Sequence, residues 1–385
     1  MKHLFSCGLF LCLAALVQAQ PRMGIIKGKL PQLSYSNGTD RLGSAKAGYI
    51  DTNIVVKVVD SVNGNYTLQL SKQRTAFLAK EFVALTNDTL PTKPTLMESW
   101  MVKGGEKYDT VSIGLGTAVP YTSWMETDPA TIMLELYGVQ SNTNWITQLT
   151  SAKGIKQLSW QQTEDDVVQV KIVLHQQQHL GYRIHYAGRR LVMLVARKPE
   201  HAHVRDFVVA IDAGHGGSNT GASGIKSKEL EKNYTILFAK ELEKLCRKRG
   251  MQVIMTRTND TSIDNKDRLI YLDSLRPDLL ISFHLNSSSR TSVRGVSTYY
   301  RHVAFRPLTQ ILLRQLLEID NLPEFGNVGS FNFQLVQPTA YPSCLVEVAF
   351  LSNEEDEKLI LDTHFRQQVA HKVYEGILYW LKHLD

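Results

Sequence analysis

The run Phe207-Val208-Val209-Ala210-Ile211-Asp212 leads straight into Ala213-Gly214-His215-Gly216-Gly217. A short apolar run ending in glycines reads as a buried strand whose chain turns sharply at its end. Leu279-Leu280-Ile281-Ser282-Phe283 repeats the pattern and ends on His284-Leu285-Asn286. Cys344-Leu345-Val346-Glu347-Val348-Ala349-Phe350 carries one charge in an apolar run. Two imidazoles therefore sit at the ends of core strands, and a carboxylate lies within a third. In open α/β sheets the strand-end rim is where ligands bind. A charge in a core strand costs free energy unless something pairs it.

Around these strands the pattern is strand–helix alternation. The spacing predicts a helix over 229–249, with Leu230, Tyr234, Leu237, Phe238 and Leu245 near one face and Gly250 as its stop. It then predicts strand 252–257, helix 264–275, strands 278–284 and 296–300, helix 307–318, strands 331–336 and 344–350, and helix 364–382. That order implies one α/β domain over 205–385, a mostly parallel sheet flanked by helices.

Upstream, the chain reads as two all-β modules. Over 22–88, Ser36-Asn37-Gly38, Asn63-Gly64-Asn65 and Asn87-Asp88 punctuate runs such as Ile54-Val55-Val56-Lys57-Val58-Val59, the pattern of a small barrel. Thr89-Leu90-Pro91-Thr92-Lys93-Pro94 is a linker, since two prolines so close break regular structure. Over 96–198, repeated short strands such as Thr131-Ile132-Met133-Leu134-Glu135-Leu136 and Leu191-Val192-Met193-Leu194-Val195 suggest a β-sandwich. Trp100, Trp124, Trp145 and Trp160 are either core residues or sugar platforms; packing is the simpler account. Lys198-Pro199-Glu200-His201-Ala202-His203 reads as a second linker.

The ends and the charge narrow the class. Residues 1–19 combine a basic start, an apolar run from Leu4 to Val17 and small-residue spacing at Val17-Gln18-Ala19. This is a signal peptide cleaved after Ala19, too short for a comfortable membrane span, and it implies export to a periplasm or cell wall. Lipid anchoring through Cys12 is the alternative. Beyond it only Cys246 and Cys344 remain, two buried thiols rather than a disulfide framework. The net charge of +6 over 385 residues is spread too evenly to argue for nucleic acid; it suits an acidic polymer such as cell-wall glycan.

Zinc accepts histidine nitrogen and carboxylate oxygen, and a catalytic site keeps one position for water. His215 and His284 are the nitrogen candidates. The third ligand should be an acid in the first turn of the following helix, where Glu229 and Glu231 both qualify and spacing does not separate them. A dinucleotide site fails, because Gly214-His215-Gly216-Gly217-Ser218-Asn219 lacks the G-x-G-x-x-G spacing.

These stretches occur in order with Glu231-Lys232-Asn233, Thr256-Arg257, Asp260, Arg268, Arg294-Gly295-Val296 and Leu351-Ser352-Asn353. Together they resemble the zinc-dependent N-acetylmuramoyl-L-alanine amidases of the amidase-3 type. The resemblance implies an exported peptidoglycan hydrolase. Its Zn²⁺ would be held by His215, Glu231 and His284, with Glu347 as general acid/base. The pair Glu231-Lys232 matches the family's metal glutamate and selects Glu231 over Glu229. Similarly, residues 41–83 resemble bacterial SH3-like modules, and 155–195 resemble the AMIN domains that precede some cell-wall amidases. Alternatives are a zinc peptidase acting within the stem peptide, an inactive wall-binding scaffold, and a structural ion pair of Glu347 with Arg257 or Arg268. Two departures stand out. The connection 301–306 leaves no room for the site-plugging helix of some relatives, and Asp273-Ser274 replaces the family's alanine-asparagine pair.

Overall fold

The computed structural model describes residues 20–38, 44–199 and 203–384. The expected signal peptide, positions 41–43 of the stretch expected to be SH3-like and the centre of the expected second linker lie outside the described residues.

An α/β domain follows an all-β region. The first β unit, up to Thr86, is one antiparallel sheet of seven strands. The second has two sheets, one of four strands and one of six. Alternation explains the stacking. Val167–Leu174 buries Val168, Val170, Ile172 and Leu174 on one side, and Arg190–Ala196 buries Leu191, Met193 and Val195. Trp100 is buried in this core, whereas Trp145 and Trp160 are exposed.

The α/β domain comprises β1 (Val208–Ala213), α1 (Glu231–Lys248), β2 (Gln252–Met255), α2 (Asn265–Leu275), β3 (Leu279–Asn286), β4 (Val296–Tyr299), α3 (Arg306–Leu316), β5 (Glu324–Val328), β6 (Ser343–Phe350), α4 (Glu354–Leu361) and α5 (Thr363–Lys382). Its sheet order is β2-β1-β3-β6-β4-β5. All neighbours are parallel except β4 and β6. One face buries Val209, Ile211, Ile281, Phe283 and Val346 in a single core with α1, α3 and α5. The other face buries Ala210 and Leu280 against Leu269 and Leu272 of α2, and Leu30 and Tyr49 of the first β unit pack there too. Each fully buried Leu or Phe contributes roughly 1.5–3 kcal/mol.

Three expectations need correction. The buried face of α1 is Thr235, Phe238, Ala239, Leu242 and Cys246, while Leu237 is exposed. Glu231, the first helical residue, faces inward, and that sets the phase of the turns after it. Residues 331–336 are not a strand: they form an irregular segment ending in a 3₁₀ turn at Gln334–Val336. Their alternation arises because Phe331 packs at a tilt against Tyr299, Phe333 meets His284 edge-on, and Leu335 enters the α2-side core. The edge strand is Glu324–Val328 instead. Finally, α4 was not foreseen, although Asn353 caps it by accepting from the amides of Glu355 and Asp356.

Candidate metal centre

Strand alternation decides which residues share the site. Asp212 on β1, His284 on β3 and Glu347 on β6 fall on the α2 side of the sheet, and the parallel register sets His284 directly beside Glu347. Glu347 is the one half-buried residue in an otherwise buried strand. The glycine loop after β1 brings His215 over this rim. The amide of Gly214 bonds the Phe283 carbonyl at 3.0 Å, tying the loop to β3. Gly214 has no substitute here, because a Cβ would lie 2.4 Å from the His284 ring. His215 itself has φ 62°, a left-handed conformation that costs of order 1–3 kcal/mol in a non-glycine residue. Such strain persists only where surrounding contacts enforce it.

A buried network does so. The Asp212 carboxylate accepts from Arg268 at 2.7 Å, Thr256 Oγ1 at 2.6 Å and Ser282 Oγ at 2.6 Å. Arg268 also donates to the carbonyls of Ala213 at 2.7 Å and His215 at 2.5 Å. Arg257 donates to the carbonyls of Ala213, Gly214 and Lys232. Burial disfavours charge on Asp212, but Arg268, His284 and the two hydroxyls outweigh it and hold its pKa below the usual value. Lys232 and Asp260 brace the next turn. Lys232 Nζ bonds Asp260 at 2.7 Å and the Gly217 carbonyl at 2.8 Å. Both arginines that the sequence offered as partners for Glu347 thus have structural tasks under the loop.

The start of α1 supplies the acid. Leu230 is extended, so the helix begins at Glu231, and Glu229 stays in the loop beside the Asn233 amide. Glu231 is buried. Its Oε1 lies 3.0 Å from His215 Nε2 and 3.2 Å from His284 Nδ1, and its Oε2 accepts from the Ala222 amide at 2.8 Å. Burial opposes its charge, but the two imidazoles overcome this and push its pKa far down. Burial likewise lowers the His215 pKa, yet Glu231 and Asn219 reverse the balance and raise it above 6.5. Asn219 Oδ1 holds His215 Nδ1 at 2.8 Å, leaving Nε2 toward the cluster.

Candidate donor atoms of His215, Glu231 and His284 lie within 4.8 Å of one another, a group that could hold a metal ion. The donor set suits zinc. The His284 Nε2 atom is buried without a hydrogen-bond partner, a costly state that coordination would relieve.

This centre lies in a domain that comparison places in a known class. Residues 209–379 match the N-acetylmuramoyl-L-alanine amidase family of the amidase-3 type. The match falls on the α/β domain. The probable cell wall amidase LytH of Staphylococcus epidermidis (strain ATCC 35984) is 36% identical over 170 residues, covering 44% of this chain and 56% of that protein. LytH of Staphylococcus aureus is 34% identical over 172 residues, with the same shares covered. The chain therefore spans little more than half the length of these relatives. Among solved structures, the catalytic domain of the amidase CwlV from Bacillus (Paenibacillus) polymyxa matches at 30% identity and TM-score 0.44, covering 46% of this chain and 99% of that one. The amidase from Clostridium difficile 630 matches at 30% identity and TM-score 0.45, covering 46% and 98%. Among the described residues, no helix is long and apolar enough to cross a membrane.

Proposed function

We propose that this chain is an exported peptidoglycan amidase that hydrolyses the amide between N-acetylmuramic acid and the L-alanine of the stem peptide. The observation that carries the reading is the His215–Glu231–His284 cluster with Glu347 in register beside His284, inside an amidase-3 domain. His215, Glu231 and His284 would hold Zn²⁺. When bound, the ion would supply a water acidified to a pKa of about 7 and an electrophile for the carbonyl oxygen. Glu347 takes the proton from the attacking water and returns it to the departing alanine amine. Asn219 orients His215, and Gly214 lets His284 approach. Arg268 and Arg257 keep the loop carbonyls turned away from the site.

Export rests on residues 1–19, and the two β units fit SH3-like and AMIN-like roles in placing the enzyme on the wall. Digestion of purified peptidoglycan with mass analysis tests the reading. It should release intact stem peptides with a free L-alanine amine and leave glycan strands whole. Cleavage inside the stem would point to a peptidase, new reducing ends to a glycosidase, and no product to a binding scaffold.

A further inference from the structure

The His284 imidazole is confined on four sides. Gly214 lies against one side, the His215 ring meets it edge-on at 4.9 Å, and Glu231 holds Nδ1. The fourth contact is the Phe333 ring, edge-on at 5.3 Å. Unlike the other three, Phe333 belongs to a segment, 329–341, that both β units grip. In the first unit, the carbonyl of Ser44 accepts from Asn332 Nδ2 at 3.0 Å, Gln32 bonds Gln337, and Leu30 and Tyr49 pack in the same cluster as Phe333. In the second, the Tyr182 amide bonds the Thr339 carbonyl at 2.8 Å, and Thr339 Oγ1 donates back to the Tyr182 carbonyl at 3.1 Å. Gly181 abuts Ala340 so closely that a Cβ would lie 2.5 Å from its backbone. Beside this contact, Arg183 of the second unit forms an ion pair with Asp273 of α2, the helix that also carries Arg268.

We propose that the two β units clamp the 329–341 segment, so that Phe333 holds His284 in its working orientation. Asn332 and Phe333 are then positioning residues rather than catalytic ones, and the β region governs the metal centre as well as any placement on the wall. Aromatic edge contacts at this range are attractive and orientation-dependent. Groups that orient a metal-ligating histidine tune its affinity for the ion. The inference rests on the amidase reading only for its turnover measurement.

The test uses the full-length protein. Phe333→Ala should weaken binding of Zn²⁺ about tenfold in chelator competition, within the range seen for such supporting groups, while Phe333→Tyr keeps it. On a soluble muropeptide Phe333→Ala should lower kcat with little change in KM. Arg183→Asp changes neither segment nor site. It should still speed hydrogen exchange in 329–341 and weaken Zn²⁺ binding, and the swap Arg183→Asp/Asp273→Arg should restore both. Loosening of 329–341 with unchanged Zn²⁺ affinity would overturn the proposal, as would no loosening at all. If the variants of Arg183 fail to fold, the contrast between Phe333→Ala and Phe333→Tyr decides. A wild-type protein that cleaves no muropeptide rejects the amidase reading, while exchange and Zn²⁺ binding still judge the clamp.

Discussion

Asp212 and Arg268 form a 2.7 Å ion pair, almost wholly buried, directly beneath the loop that carries His215. The pair is a scaffold for a strained ligand. Arg268→Met should leave Asp212 charged and uncompensated, at a cost of about 3–5 kcal/mol. Chemical denaturation would measure this. Zinc content should fall with it, because the His215 carbonyl loses its donor. A variant of unchanged stability would show that the hydroxyls of Thr256 and Ser282 suffice.

Ligand assignments separate by substitution. His215→Ala and His284→Ala should each lose metal and activity. Glu231→Gln should be severe and Glu229→Gln mild, since only Glu231 reaches both imidazoles. Metal analysis with kinetics checks this. A severe Glu229→Gln with a mild Glu231→Gln would reassign the third ligand.

Glu347→Gln should retain zinc while kcat drops by roughly 10²–10⁴, the usual worth of positioned acid/base catalysis. Near-normal turnover would leave Glu347 a structural role.

Gly214→Ala tests the tight approach to His284. The added methyl must displace the imidazole, as its Cβ would lie 2.4 Å from the ring. Overpacking of this kind costs about 1–3 kcal/mol. Metal affinity should fall more than stability does, which paired zinc competition and thermal melts would reveal.

The pH dependence follows from opposite shifts. Glu231 is depressed below its ordinary 4.5, so its stabilising contribution in the metal-free protein is present above that pH and lost on acidification. His215 is raised above 6.5, so its contribution is full below 6.5 and lost as pH rises through its folded value. The metal-free site therefore contributes most between these values. Zinc must displace the proton on His215, so its affinity should climb as pH rises past 6.5 and through the folded value of that group. Chelator competition across that range would detect a flat profile, which would exclude His215 as a ligand.

Much of the centre was legible because burial and chemistry conflict at few places. Apolar strands ending on Asp212 and His284, and the lone charge of Glu347, mark positions that a core would not otherwise accept. Glu231 was not separable from Glu229 by spacing, because the choice depends on where Leu230 leaves the extended conformation. The 331–336 segment misled because its alternating Phe331, Phe333 and Leu335 serve three different neighbours rather than one sheet face. Asp273 departs from the family's pattern with no local reason in the sequence. Its partner, Arg183, lies 90 residues away in another unit.

That last pair bears on how such proteins can be recombined. Asp273 stands on the outer surface of α2, where most helices tolerate any polar residue, yet here it faces an arginine of the preceding unit. Gly181 meets Ala340 at a point that admits no side chain. A domain borrowed from a relative that lacks Asp273 would lose this ion pair, and one with a different surface at 340 would meet Gly181 unmatched. In this architecture the joints between units, and not only the units themselves, are written in the sequence, so exchange of whole domains would demand matched changes on both sides of the seam.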